Sequence, residues 1–429
     1  MNRTYTHELK PGPALVKGWV DSVRDKGSIT FALIRDREGT IQTIAKKGKT
    51  PEPVHKALAS LGREDCVAIS GTVVANTEAP GGRELIPESI SVLSKAASPL
   101  PLDFSGPIRS AVDKRFAHRF LDLRNPQVQA LFRVRDSALS NLRGFFAKEG
   151  LVEVHTPVIQ AAGAEGGATL FPLQFYGKKA YLRQSPQLYK QMLMATGLDK
   201  VYEIGPVFRA EKFHTRRHVS EFLSVDVELA WIESEEDVLK FLERCIVSVA
   251  KGVAYDAKPS LDILGATLSI PELPFPRLTY DDALSKLAAA GTRLEWGADL
   301  GDPEEKLLGE LMAKAGHKWY FITKYPAEMK PFYIMADGRI SRGFDLDCAG
   351  LELASGGQRE HRADKLTVAM KKKDLDPKDF DFYVNAFQWG MPSHAGFGLG
   401  LERLVQQLLG LEHVREAILF PRTPDMLVP

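Results

Sequence analysis

The sequence predicts an α+β chain in two parts: a small β-barrel over residues 1–100 and a larger domain of mixed sheet and helix over 126–429, joined by a hinge at 101–125. Three observations predict it. Through the first hundred residues, short runs rich in Val, Ile and Thr alternate with turn signals. A Pro-rich break follows at 99–107. Beyond the break, apolar residues take helical spacing, interleaved with extended segments.

In the first part the expected strands are 14–23, 29–34, 40–45, 67–74 and 85–92, with one helix at 53–61 between the third and fourth. Five strands with that helix position follow the order of an OB-fold barrel. In the second part, Leu131, Val134, Ala138, Leu142, Phe145 and Phe146 mark a helix over 128–149, and Gly150 stops it. Strands are expected at 201–208 and 224–231 around a charged loop, at 332–335, at 343–347 and at 395–400. Helices are expected at 234–251, 303–315 and 401–409.

Composition excludes several classes. Of 429 residues, 44% are hydrophobic and 26% charged, which is ordinary globular usage rather than that of a disordered or fibrous chain. No apolar run approaches 18 residues, so no membrane span is expected. The polar first ten residues and three scattered cysteines (Cys66, Cys245, Cys348) point to a reducing cytoplasm. With 56 basic and 55 acidic residues, whole-chain charge makes no case for nucleic acid.

Four segments carry chemistry. Phe208-Arg209-Ala210-Glu211, with Arg217 and His218 close behind, is a strand end feeding a cationic loop. Arginine forks suit a polyphosphate, though a solvated hairpin tip would read the same way. Gly396-Phe397-Gly398-Leu399-Gly400 places three glycines at alternate positions ahead of Glu402 and Arg403, which allows close backbone approach to a flat ligand or to packing neighbours. Asp345 and Glu352 could face each other on adjacent strands and hold Mg²⁺, with Ser355 and Arg359 nearby. A structural ion pair is the alternative. Gln184-Ser185-Pro186-Gln187-Leu188-Tyr189-Lys190 clusters small polar groups and a lysine where Ser185 would also cap a helix.

Taken together with Arg119-Phe120-Leu121-Asp122-Leu123-Arg124, these stretches resemble the class II aminoacyl-tRNA synthetases, in particular the short archaeal and eukaryotic type of aspartyl-tRNA synthetase. The resemblance runs from about residue 14 to Pro429 and leaves no room for the large domain inserted in the typical bacterial enzyme. It implies an antiparallel six-stranded catalytic sheet, an anticodon-binding OB domain, and a homodimer with Pro157 and the 128–149 helix at its interface. The implied reaction consumes L-aspartate and ATP with Mg²⁺ and charges tRNA-Asp.

By the same resemblance, Arg209 meets the α-phosphate and the substrate carboxylate. Arg217 and His218 cover the outer phosphates, Phe222 and Arg403 sandwich adenine, and Glu211 and Gly400 border it. Glu352, Ser355 and Asp345 hold Mg²⁺. Lys190 and Arg359 read the aspartate side chain, Asp226 holds Lys190, and Ser185, Gln187 and Glu165 receive the ammonium. An asparaginyl relative would lack a lysine at position 190, and a lysyl relative would carry acids in this pocket. Phe31 and Gln42 lie at the family's spacing for anticodon contact, Gln42 and Glu84 offer hydrogen bonds to base edges, and Arg24 offers a phosphate or base contact.

Pro80 stands where tRNA-Asp-selective relatives are expected to carry a lysine. A proline offers neither side-chain donor nor N–H, which points to charging of tRNA-Asn as well. Asp21 departs from the relaxed pattern, which has histidine there. Two rival readings are a non-catalytic RNA-binding paralogue and an ATP-dependent amidating enzyme. The intact Arg209, Glu352 and Arg403 oppose the first, and the intact OB domain opposes the second.

Overall fold

The computed structural model describes residues 2–104, 110–161, 170–211 and 217–429. The chain divides into two compact units, 1–101 and 102–429.

The first unit is a closed barrel. Its strands are β1 (Gly12–Asp25), β2 (Ile29–Arg35), β3 (Thr40–Lys46), β4 (Cys66–Ala75) and β5 (Arg83–Ser94), with helix α1 (Glu52–Ala59) between β3 and β4. The order around the barrel is β1-β2-β3-β5-β4. Period-two alternation builds it: Thr30, Ala32 and Ile34 of β2 are buried, while Phe31 and Leu33 point the other way. Val16, Val20, Ile41, Val67, Ile69 and Leu85 complete the core. The expected OB-fold strands appear here, each extended by at most two residues at either end.

The second unit is an eight-stranded sheet flanked by helices. Its elements are helix α2 (Pro126–Lys148), β6 (Val152–Glu153), helix α3 (Gln187–Leu193), β7 (Lys200–Phe208), β8 (Glu221–Ala230), helix α4 (Glu235–Asp256), β9 (Arg277–Thr279), helix α5 (Asp302–Lys314), β10 (Trp319–Thr323), β11 (Gly343–Cys348), β12 (Glu352–Gln358), β13 (His394–Gly400) and helix α6 (Leu401–Leu409). The sheet order is β9-β10-β11-β12-β13-β8-β7-β6. Six central strands pair antiparallel, and β9 and β6 add short parallel pairs at the two edges. The edges escape the sequence pattern because two or three residues are too few to show a period.

Two stretches carry structure that the sequence pattern does not show. The stretch expected as a hinge at 101–125 contains helices Val112–Ala117 and Arg119–Asp122. Arg119 is fully buried and donates to the carbonyls of Glu416, Ile418 and Leu419, which ties this stretch to the C-terminal segment. The strand expected at 332–335 does not form. Phe332 and Tyr333 instead pack into a cluster with Phe380 and Tyr383, and only an isolated bridge joins Ile334 to Arg359.

The α2 helix behaves as its spacing dictates. Asn125 caps it by accepting from the Gln127 N–H, Pro126 occupies its first turn, and Val134, Ala138, Leu142, Phe145 and Phe146 face the main core. Among the described residues no helix is long and apolar enough to cross a membrane.

Candidate active site

The central strands place their polar residues on one face above a cavity of about 290 Å³. Its lining includes Ser185, Gln187, Arg209, Glu211, Arg217, His218, Phe222, Asp226, Glu352, Ser355, Arg359, Gly400 and Arg403. The four separate sequence segments thus converge on one space.

At one end lies a buried quartet. Ser224, Asp226 and Glu228 alternate along β8, so all three carboxyl and hydroxyl groups share a face. Lys190 Nζ, on α3, donates to Asp226 Oδ1 at 2.9 Å and to the Phe397 carbonyl at 2.9 Å, and lies 3.5 Å from Glu228 Oε2. Arg359 grips Glu228 with a fork, Nε to Oε1 at 2.8 Å and Nη2 to Oε2 at 3.2 Å. Ser224 Oγ donates to Asp226 Oδ2 at 2.6 Å. Burial would push the Glu228 carboxyl up, but Arg359 and Lys190 outweigh it and hold the group below its ordinary value. Two cations and two anions therefore form a neutral set. The Lys190–Asp226 pair is the one the sequence leads one to expect, whereas the Glu228 carboxylate gripped by Arg359 is not. Arg359 and Asp226 line the cavity, while Lys190 is fully engaged and buried.

The glycines of β13 exist for this quartet. A Cβ on Gly396 would stand 2.1 Å from the Val227 carbonyl and 2.2 Å from Glu228 Oε2. One on Gly398 would crowd Asp226 Oδ1 at 3.3 Å. The alternate glycines thus let two carboxylates of β8 lie across the neighbouring strand.

The middle and far end are cationic above and acidic behind. The Arg209 guanidinium lies 5.4 Å from the Phe222 ring centroid and 3.9 Å from Glu211. Arg403 Nη1 donates to the Glu352 carbonyl at 2.9 Å. Arg217 pairs with Glu305 of α5 at 2.7 Å and donates to the Gly350 carbonyl at 2.9 Å. Burial, then the neighbouring Arg403 charge, holds His218 below its ordinary value.

Asp345 and Glu352 do lie on adjacent antiparallel strands, with Asp345 opposite Ser355 and Glu352 opposite Asp347. Burial and then Asp345 push the Glu352 carboxyl up. Burial, then Glu305 and Glu352, pushes Asp347 well above the usual range. This wall is short of positive charge. Among the described residues no three His, Cys, Asp or Glu side chains converge on one metal position. A divalent ion here would depend on oxygens from outside the protein.

Among the described residues, three buried polar atoms around the site lack a partner: Gln187 Nε2, Arg209 Nε and Asp345 Oδ1. Orphaned atoms of this kind mark places where a ligand completes the bonding. Ser185 Oγ accepts from the Gln187 N–H at 3.1 Å, but the helix starts one residue later than expected, with Pro186 rather than Ser185 at the cap position, while Gln187 stays at the cavity wall. Glu165 lies outside the described residues.

Sequence reasoning missed Glu228 and Lys330. The signal for Glu228 was present, since alternating acids within the apolar run 225–229 must share a face. Lys330 sits in an irregular loop and gave none.

In the barrel, the remaining candidates lie on β1, β2, β3 and β5: Arg24 is exposed, Phe31 and Gln42 are half-buried, and Glu84 is buried. Arg24 faces Phe31, and Gln42 pairs with both Leu33 and Glu84. Glu84 Oε2 accepts from Asn76 Nδ2 at 3.0 Å and lies 3.5 Å from Gln42 Nε2. Pro80 is exposed at the start of a tight turn, Pro80–Gly82. Asp21 pairs with Arg35 at 2.7 Å on the barrel wall.

Comparisons with known proteins agree with this geometry. Residues 14–93 match the family described as OB-fold nucleic acid binding domain. Aspartate--tRNA(Asp) ligase of Pyrococcus abyssi is 48% identical over 99% of this chain and 98% of its own length. Aspartate--tRNA(Asp/Asn) ligase of Archaeoglobus fulgidus is 46% identical over the whole of both chains. Among solved structures, asparaginyl-tRNA synthetase of Pyrococcus horikoshii with asparaginyl-adenylate superposes with a TM-score of 0.92 at 35% identity, covering all of both chains. Aspartyl-tRNA synthetase of Entamoeba histolytica gives 0.87 at 30% identity, covering all of this chain and 93% of the other. Residues 111–424 match the tRNA synthetases class II (D, K and N), and with these relatives the chain belongs to that family.

Proposed function

We propose that the chain is an aspartate–tRNA ligase. It condenses L-aspartate with ATP to aspartyl-adenylate and pyrophosphate, then passes the aspartyl group to the terminal ribose hydroxyl of tRNA-Asp. The quartet of Lys190, Asp226, Glu228 and Arg359 carries this reading. Glu228 takes Nε and Nη2 of Arg359, and neither bond uses Nη1. That remaining donor suits a carboxylate. An asparagine amide would bring its own donors against it, and a lysine would bring a third cation into a set already balanced.

The other roles follow the charges. Arg209, with its unpartnered Nε, meets the α-phosphate and the substrate carboxylate, where charge develops in the transition state. Arg217 and His218 lie over the outer phosphates. Phe222 and Arg403 hold the adenine between them, with Glu211 and Gly400 at its edge. Ser185 and Gln187 receive the ammonium, and Glu165 joins them. The unpartnered Asp345 Oδ1, the raised Glu352 and the nearby Ser355 fit a hard cation shared with phosphate oxygens. When bound, Mg²⁺ would neutralise charge on the polyphosphate.

On the barrel, Phe31 stacks on an anticodon base, with Arg24, Gln42 and Glu84 beside it. Pro80 supports a second reading of specificity. Its exposed ring offers no donor to distinguish cytosine N4–H₂ from uracil O4, so tRNA-Asn is charged as well. The enzyme works as a cytoplasmic homodimer. Aspartate-dependent ATP–pyrophosphate exchange, followed by charging of the tRNA-Asp and tRNA-Asn transcripts, tests this reading. Absence of exchange with aspartate would end it.

A further inference from the structure

Lys330 stands at a wall shared by two cavities: the main one, and a second of about 160 Å³ lined by Asp299, Glu305, Asp345, Asp347 and Glu352. Its ammonium donates to Asp345 Oδ2 at 2.7 Å and sits 3.8 Å from the Tyr325 ring centroid. The side chain is only 12% exposed. Its stem runs past Gly343, where a Cβ would stand 3.1 Å from Lys330 Cγ and 3.3 Å from Cε. The glycine therefore leaves the lane in which the lysine lies. One oxygen of Asp345 is thus held by a protein cation, while the other, Oδ1, is buried without a partner.

We propose that Lys330 is a tethered counter-cation that keeps the acidic wall from holding a divalent ion until the nucleotide arrives. The proposal rests on the reading of Asp345 and Glu352 as a cation site. The wall's carboxylates outnumber its cations, so without Lys330 a free divalent ion would be drawn to it. With the ammonium in place, one Asp345 oxygen is taken and an incoming cation meets a like charge at close range. Phosphate oxygens then supply both the missing ligands and the missing negative charge, so metal and nucleotide bind as a unit. A purely structural lysine would leave metal affinity unchanged when its charge is removed.

The test is Mn²⁺ titration of the full chain without nucleotide, following the free ion by electron paramagnetic resonance. Lys330→Met should bind Mn²⁺ at least about tenfold more tightly than the parent, and Lys330→Arg should match the parent. Adding Asp345→Asn to Lys330→Met should abolish the gain. Gly343→Ala crowds the lysine stem but keeps its charge, so it should tighten binding by a smaller factor, and it serves as the test if Lys330→Met does not fold. Unchanged or weaker Mn²⁺ affinity in the variant that folds overturns the proposal. So does a gain that survives Asp345→Asn. If the parent binds no Mn²⁺ even with saturating ATP, the cation reading of the wall fails and the proposal falls with it. If Mn²⁺ binds with ATP in every variant and no more tightly in Lys330→Met alone, only the role of Lys330 fails.

Discussion

Replacing Lys190 by methionine removes an ammonium but little volume, so its effects isolate charge. Lys190 and Asp226 are 2% and 3% exposed, and their N–O separation is 2.9 Å. At an effective dielectric of 20, two unit charges that close attract by about 6 kcal/mol. Desolvation offsets part of this, and removing one partner of a buried pair costs about 3–5 kcal/mol. Lys190→Met should therefore lose that much stability in urea unfolding. Asp226→Asn should lose a similar amount, since it strands the ammonium instead. The double variant strands neither charge and should cost less than the sum by about 2–3 kcal/mol. The same change turns the quartet from neutral to one net negative charge. In pyrophosphate exchange the aspartate KM should rise by about a hundredfold, or about 2.7 kcal/mol, while the ATP KM moves less than about threefold. Strict additivity of the two single variants would refute the coupled pair. Collapse of ATP binding with a surviving aspartate response would place Lys190 in the wrong subsite.

Four further predictions follow from the same geometry. Arg209→Ala should cut exchange by about 10²–10³-fold with an unchanged melting temperature; near-normal exchange in the folded variant would remove Arg209 from the chemistry. Gly396→Ala should destabilise by at least about 1–3 kcal/mol in chemical unfolding, because the new methyl meets Val227 and Glu228 at impossible distances; a neutral outcome would mean that β13 can shift freely. Burial holds His394 down to about 4, so the folded state resists its protonation. Its stabilising contribution is complete above the unfolded value near 6.5 and is lost as pH falls toward 4, an effect of about 3 kcal/mol that His394→Gln should flatten in pH-dependent unfolding. Finally, Pro80→Lys should shift charging toward tRNA-Asp over tRNA-Asn by about tenfold or more, an effect of about 1–3 kcal/mol per base contact; equal charging of both transcripts by the variant would remove position 80 from discrimination.

The barrel was legible because alternation and turn chemistry are local. Strands β2 and β3 begin where Ile29 and Thr40 suggest, and the core positions follow from period two. The site was legible as residue types in segments, but not as a charge balance. Nothing local to Lys190 or Arg359 shows that Glu228 and Asp226 neutralise them, because the partners lie 36 and 131 residues away. The edge strands β6 and β9 are hidden by their brevity. The segment 332–335 reads as a strand because its apolar residues are contiguous, yet Phe332, Tyr333 and Ile334 serve a cluster with Phe380 and Tyr383. Lys330 looks like a surface lysine until the fold sets it against Asp345.

If the quartet reads an aspartate side chain, aspartate alone should support the first step. The most direct test is the exchange of labelled pyrophosphate into ATP with aspartate, asparagine or lysine as the only amino acid. Exchange is expected with aspartate, with at least about a thousandfold lower specificity for asparagine and lysine, because a site built to pair one charge leaves buried groups unmatched by the others. Exchange of comparable efficiency with asparagine would contradict this reading.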